Sequence, residues 1–347
     1  MTDIVFAKAP LRMALAGGGT DLEPYWSKYG GVVLNATIDQ YAYCKIEPCV
    51  CNHEKCWSFK SVDLGIEERH DFYSTPFMQG EYVDSDLQLL VNAYQYLTAK
   101  TDRHPVKITT YVEAPPGSGL GSSSALVVAL IAAIAEYHKI PLGEYDIAEY
   151  AVEIERNICD MPGGKQDQFA AAFGGFNFTE FLTDGRTIVN PLRLNYKTQN
   201  MMELSTVLYY VGKPRSNSRV IENTAKGLVD SEVVLNATHK IKEACIEYKR
   251  SLLTGDMKRI SELMETYWRS KLETNPHVAS PEILDSYEYA LQNGATGAKI
   301  SGAGGGGHMV LFTEFERRHE LITALKEKDG RVVPFKFVKH GVDVWRQ

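Results

Sequence analysis

Val106-Lys107-Ile108-Thr109-Thr110-Tyr111-Val112 alternates apolar and polar positions with the two-residue period of a half-buried strand. The pattern then breaks into Pro115-Pro116-Gly117-Ser118-Gly119-Leu120-Gly121-Ser122-Ser123-Ser124-Ala125. From Leu126 to Tyr137 it becomes almost wholly apolar, which predicts a buried helix. Strand, glycine–serine loop and helix start form a cradle for phosphate, because glycines let the main chain approach an anion and the free N–H groups of the helix point at it. No Gly-Lys-Ser/Thr closes the loop, and Ser122 stands where a dinucleotide fingerprint needs its third glycine. A tight glycine turn capped by serine needs no ligand. Three consecutive serines exceed what one cap requires, with Ser124 assigned to the helix start, and favour phosphate together with a metal.

The same patterning predicts the other elements. Ala7–Gly19 reads as a strand ending in a glycine turn, and Leu22–Trp26 as a short helix. Gly30–Ile38 and Tyr41–Ile46 read as two strands, and Ser85–Lys100 has helical spacing. A helix from about Tyr145 to Cys159 carries Glu155 on its apolar face, four residues after Ala151 and three before Ile158. A carboxylate there requires a cation. Arg156 is one candidate; Mg²⁺ facing the phosphate loop fits better, since such sites hold the metal by one or two protein oxygens. Asp167 either favours the first turn of the next short helix through its dipole or does chemistry. Asp21 is either a helix cap or an acceptor for sugar hydroxyls. From about Ser205 the order changes to a strand, a long helical stretch Ser216–Lys271, a helix Ser280–Gln292 and strands at 297–301, 308–313 and 332–338. This predicts an α+β second domain. Gly302–Gly307, flanked by two of those strands, reads as a loop packed backbone to backbone on another loop rather than as a linker.

At 347 residues two domains are expected, 1–204 and 205–347. A net charge of −7 argues against a nucleic-acid binder, and no apolar span or secretory leader is evident, so a cytoplasmic protein without membrane partners is expected. Cys49, Cys51, His53 and Cys56 do not have standard zinc-finger spacing, and reduced thiols in a hairpin are expected there.

Three separated stretches resemble one family in order and spacing. They are Ala9–Asp21 (Ala-Pro-Leu-Arg-Met-Ala-Leu-Ala-Gly-Gly-Gly-Thr-Asp), Pro115–Ala125 and Lys299–Gly307 (Lys-Ile-Ser-Gly-Ala-Gly-Gly-Gly-Gly). The family is the GHMP kinases, which include galactokinase, homoserine kinase and mevalonate kinase. The resemblance implies a two-domain α+β fold: an N-terminal α/β sandwich with the ATP loop and a C-terminal ferredoxin-like domain. It implies ATP and Mg²⁺ as cofactors, with ATP phosphates on Gly117, Ser118, Gly119, Leu120, Gly121, Ser122 and Ser123. It further implies Ser123 and Glu155 as Mg²⁺ ligands, Asp167 as the catalytic aspartate facing the acceptor hydroxyl, and Arg12 as the residue balancing charge there. The segment between Glu155 and Asp167 is one residue longer than in mevalonate kinase.

Gly17–Asp21, followed by Gly-Gly-x-Val-Leu-Asn-Ala-Thr-Ile, departs from galactokinase, which has an acidic residue and a histidine in place of Gly18 and Gly19. It is similar instead to the D-glycero-D-manno-heptose 7-phosphate kinases. That implies anomeric phosphorylation of a sugar phosphate, with Gly18, Gly19, Thr20, Asp21, Asn35 and Thr37 as sugar contacts. Arg215, in Lys213–Arg219, is the candidate for a second phosphate site, and a homodimer is a possible assembly. Other sugar 1-kinases of the family and a non-catalytic sugar sensor are the rival readings.

Overall fold

The computed structural model describes residues 4–49, 56–71, 82–101, 104–212, 217–275 and 277–347. Arg215, Cys51 and His53 lie outside the described residues, so the expectations placed on them are not taken further. Among the described residues no group of His, Cys, Asp and Glu could hold a metal ion, and no helix is long and apolar enough to cross a membrane. Cys56 is disulfide-bonded, which corrects the expectation of reduced thiols in that stretch.

The N-terminal half builds an eight-stranded sheet from β1 (Val5–Ala16), β2 (Gly31–Pro48), β3 (Cys56–Ser61), β4 (Ile66–Asp71), β5 (Val106–Val112), β6 (Phe176–Phe181), β7 (Thr187–Pro191) and a late strand, β12 (Asp343–Arg346). The two strands expected between 30 and 46 are one. β2 runs unbroken, pairing β6 along its first part and β5 along its second, with β1 on its other side. All ladders are antiparallel except β3 on β5. Behind the sheet lie α1 (Glu23–Tyr29), α2 (Gln88–Thr98), α3 (Ser122–His138), α4 (Glu144–Val152) and α5 (Gln166–Phe173). Helix α3 is apolar on nearly every side because neighbours surround it; Val127 to Ala135 are all buried.

The second half opens with α6 (Tyr196–Ser205), which the patterning does not predict, and β8 (Thr206–Gly212). The expected long helical stretch is three helices: α7 (Asn217–Asp230), α8 (Glu232–Thr254) and α9 (Met257–Thr274). The Ser231 side chain caps α8 by accepting from the Val234 N–H, Gly255 ends α8 at φ 74°, and Asp256 caps α9. Then come α10 (Pro281–Gln292), β9 (Ala295–Ile300), β10 (Gly307–Thr313), α11 (Arg318–Leu325) and β11 (Arg331–Val333). The sheet order β11-β8-β10-β9, all antiparallel, is the ferredoxin-like arrangement expected.

The expected division at 204/205 does not separate two cores. Ile241, Tyr248, Leu263 and Tyr267 pack in one cluster with Leu15 and Leu34, and a smaller cluster around Trp268, Ile283 and Leu311 lies on the second sheet. Nor does the C-terminal half keep the end of the chain. Phe337 bridges to Ile38, and β12 adds to the outer edge of β1 with Trp345 stacked on Phe6.

Candidate active site

The loop after β5 turns on three left-handed glycines, Gly117, Gly119 and Gly121, at φ 72°, 78° and 73°. Gly121 is the N-cap of α3, and no side chain caps the helix. Ser124 is therefore not the cap expected of it; its hydroxyl donates to Glu155 Oε2 at 2.6 Å. Ser122 and Ser123 line a cavity of about 620 Å³ together with Arg12, Gly119, Gly121 and Asp167. Ser118 and Leu120 are buried away from that wall and contribute main chain: Ser118 O accepts from His308, and Leu120 O accepts from the Arg12 N–H at 2.9 Å.

The Gly302–Gly307 run is packed on this loop, as the patterning predicts. A Cβ on Gly119 would stand 2.4 Å from Ser301 O, and one on Gly307 would stand 2.3 Å from Ser118 O. His308, not anticipated from the sequence, fastens the contact. Its N–H donates to Ser118 O at 2.9 Å and its Nδ1 lies 2.8 Å from the same oxygen, so the Nδ1 carries the proton. Burial pushes its pKa down to about 4, which keeps the ring neutral.

Arg12 is aimed by a break in β1, whose register to β2 shifts between Pro10 and Arg12. The side chain is buried, with Nε 2.7 Å and Nη2 2.6 Å from Asp167 Oδ1, and Nη1 donates to Gly119 O at 2.5 Å. One guanidinium thus ties the catalytic candidate to the phosphate loop. Asp167 Oδ2 stays free of this pair and lies 3.3 Å from the place of a Cβ on Gly121, against the start of α3.

Glu155 is fully buried. It sits in a π-helical turn, Glu153–Ile158, that continues α4. A π turn accommodates an additional residue within a helix and recurs at functional sites, in keeping with the longer segment noted above. Glu155 Oε2 accepts from Ser124 Oγ and Gln168 Nε2, and Arg156 stands 3.8 Å away, while Oε1 has no partner. Both sequence readings therefore hold in part: Arg156 is nearby, yet one carboxylate oxygen remains unused. Arg156 also donates to the carbonyls of Gly164 and Met161, holding the segment that leads to Asp167.

Asp21 does not cap α1, whose N-cap is Leu22. Its buried carboxylate accepts from the Gly19 N–H at 3.0 Å and from Gln166 Nε2 at 3.0 Å, on the wall of the same cavity. Gly18 and Gly19 also line it; Thr20, Asn35 and Thr37 do not. Thr20 Oγ1 is engaged with the carbonyls of Gly17 and Val32 within the turn. Asn35 is buried in the sheet between Ala14 and Asn177, and Thr37 ties Gly175 to Val338. All three lie in or beside β2, where the two-residue period puts such side chains inside the sheet packing.

Two lysines from the second half stand at the site; Lys299 opens the third of the quoted stretches without a role of its own there, and sequence pattern gave no sign of Lys271. Lys271 lines the cavity, and Lys299 is fully buried behind it, donating to Ala14 O at 2.6 Å. Burial, reinforced by the charges of Arg12 and Lys271, pushes the Lys299 pKa down to about 7.

The profile of the GHMP kinases N terminal domain matches residues 88–175, and that of the GHMP kinases C terminal matches residues 248–330. The D-glycero-alpha-D-manno-heptose 7-phosphate kinase of Campylobacter jejuni is 40% identical over 341 residues, 98% of each chain. The crystal structure of a D-glycero-D-manno-heptose 1-phosphate kinase from Bacteroides thetaiotaomicron superposes with a TM-score of 0.81 at 34% identity, over 98% of each chain. Lactococcus lactis galactokinase complexed with galactose shares the fold (TM-score 0.76, 17% identity, 98% of this chain and 95% of that one). Both family halves match in order along one chain that also carries the three loops brought together here, and the chain belongs to the GHMP kinases.

Proposed function

We propose that the protein is an ATP-dependent sugar kinase that phosphorylates the anomeric hydroxyl of D-glycero-D-manno-heptose 7-phosphate, giving the 1,7-bisphosphate on a cytoplasmic route to nucleotide-activated heptose. The observation that carries this reading is the position of Asp167: Arg12 holds Oδ1, while Oδ2 stands free beside the end of the glycine loop, where α3 starts. A hydroxyl placed there meets a proton acceptor and a phosphate cradle together. The proton passes from the sugar C1 hydroxyl to Asp167 Oδ2, the new C1–O–P bond forms, the bond between the γ-phosphorus and the β,γ-bridging oxygen breaks, and ADP leaves. Loop N–H groups at Gly119–Ser123 stabilise the equatorial oxygens in flight.

The partnerless Glu155 Oε1 suits a hard divalent cation, and Glu155 is tied through Ser124 to the turn of α3 whose Ser123 lines the cavity. Glu155 and Ser123 would hold Mg²⁺, which supplies charge neutralisation at the transferring phosphate. Glu155→Gln is expected to raise the Mg²⁺ concentration needed for half-maximal rate at least tenfold, read from rate against metal concentration; an unchanged dependence would remove Glu155 from the metal site.

The substrate is tested by coupled ADP release with mannoheptose 7-phosphate beside free heptose, fucose and galactose. Preference for an unphosphorylated sugar would replace the substrate assignment by another sugar 1-kinase. No turnover with any sugar would leave a sensor.

A further inference from the structure

Lys271 lines the cavity beside Gly19 with nothing to hold. It lies in the last turn of α9, is 6% exposed, and has its Nζ 3.7 Å from the place of a Cβ on Gly19. Its charged neighbours are all occupied. Arg12 binds Asp167 and Gly119 O, Lys299 binds Ala14 O, and Asp21 accepts from Gly19 and Gln166. The Lys271 ammonium has no hydrogen bond or ion pair among the described residues. Asp21 acts on it electrostatically without forming an ion pair.

A lysine in a last helical turn ordinarily donates to the carbonyls there, and this one does not. Withdrawing an ammonium from water without an acceptor is costly, and burial accordingly depresses its pKa. The free protein thus maintains, on a largely buried side chain, an unused donor that faces only the cavity. Beside it, Tyr267 Oη and Gln166 Nε2 lie 3.0 and 3.6 Å from the place of a Cβ on Gly18. The two glycines keep open the space that these side chains surround.

We propose that Lys271 is a substrate-binding residue. Its ammonium donates to a sugar oxygen beside Asp21, whose carboxylate accepts from the sugar's hydroxyls. Donor and acceptor together select a polyhydroxylated ligand at that end of the cavity. This rests on the sugar-kinase reading but not on which sugar is turned over.

The experiment compares the wild type with Lys271→Met and Lys271→Gln, using whichever sugar of the panel the wild type phosphorylates. A failed substrate assignment is therefore seen in the wild type alone, before the variants are measured. The expected result has three parts. KM for the sugar rises about 10- to 100-fold, the loss of a hydrogen bond from a charged donor. KM for ATP stays within twofold. The apparent Tm of the ligand-free variants is unchanged or higher, because a buried unpaired charge is gone. A merely structural lysine gives the opposite pattern, lowered Tm with unchanged sugar KM in both variants, and that result overturns the proposal. So does a rise in KM confined to ATP.

Discussion

At the scale of single residues, the site divides its labour between two faces of one carboxylate. Arg12 occupies Asp167 Oδ1 and leaves Oδ2 open, where the proposed mechanism puts the acceptor hydroxyl. Asp167→Asn keeps the shape and removes the proton acceptor, so kcat should fall by about 10²- to 10⁴-fold. Nucleotide affinity, measured by calorimetry, should change little; full activity in this variant would overturn the role. Lys299 offers a second residue-scale test. Burial lowers its folded pKa to about 7 from the 10.5 of an ordinary lysine. Between those values the unfolded chain binds more protons than the folded one, so this residue makes stability rise with pH across that window and fall again as pH drops towards 7. Lys299→Met should flatten the dependence of unfolding free energy on pH between about pH 7 and 10 by an amount on the order of a few kcal/mol, read from denaturant melts across that range. A variant curve parallel to that of the wild type would show that the lysine is not depressed.

At the scale of elements, the loop works only as a layered pair. Gly119 adopts φ 78°, and a Cβ there would stand 2.4 Å from Ser301 O, in backbone that cannot swing aside as a side chain tip would. Gly119→Ala should cost about 1–3 kcal/mol from the conformation alone and raise KM for ATP, read from a thermal melt and steady-state kinetics together. Loss of stability without any change for ATP would separate the loop from the nucleotide. Much of this was legible beforehand. The strand–loop–helix order, the glycine run and the misplaced Glu155 each carry a local pattern, and local pattern survives in sequence. What escaped has a physical reason in each case. Lys271 sits in an amphipathic helix as any surface lysine would, and its burial depends on α9 docking against the first half of the chain. His308 reads as the polar start of an apolar strand until the loop it touches is in place. Thr20 and Thr37 have the hydroxyls of sugar ligands, but those hydroxyls serve backbone carbonyls and N–H groups that only the folded turn and sheet supply. The Ser124 hydroxyl was assigned to its own helix because Glu155 lies on a different one.

At the scale of the whole molecule, the chain closes on itself. The catalytic strand β1 lies between β2 and β12, so the last described strand buttresses the one that carries Arg12. Deleting residues 341–347 removes four ladder pairs and the Trp345–Phe6 stack. It should destabilise the protein by about 2–4 kcal/mol, from lost apolar burial and edge hydrogen bonds. It should also leave a bare strand edge prone to self-association. Thermal melts and light scattering check both; an equally stable, monodisperse truncation would show that β12 is ornamental. The same closure sets a timetable for synthesis. β1 is synthesised well before β12 and must wait for it before its outer edge is paired, so the strand that carries Arg12 is completed late, in a topology dominated by distant contacts. The Gln347 N–H donates to Ile4 O at 3.1 Å, so these two residues lie side by side. A short peptide joining them would let the chain be reopened at the exposed turn around Asp184, and translation would then deliver both neighbours of β1 without the wait.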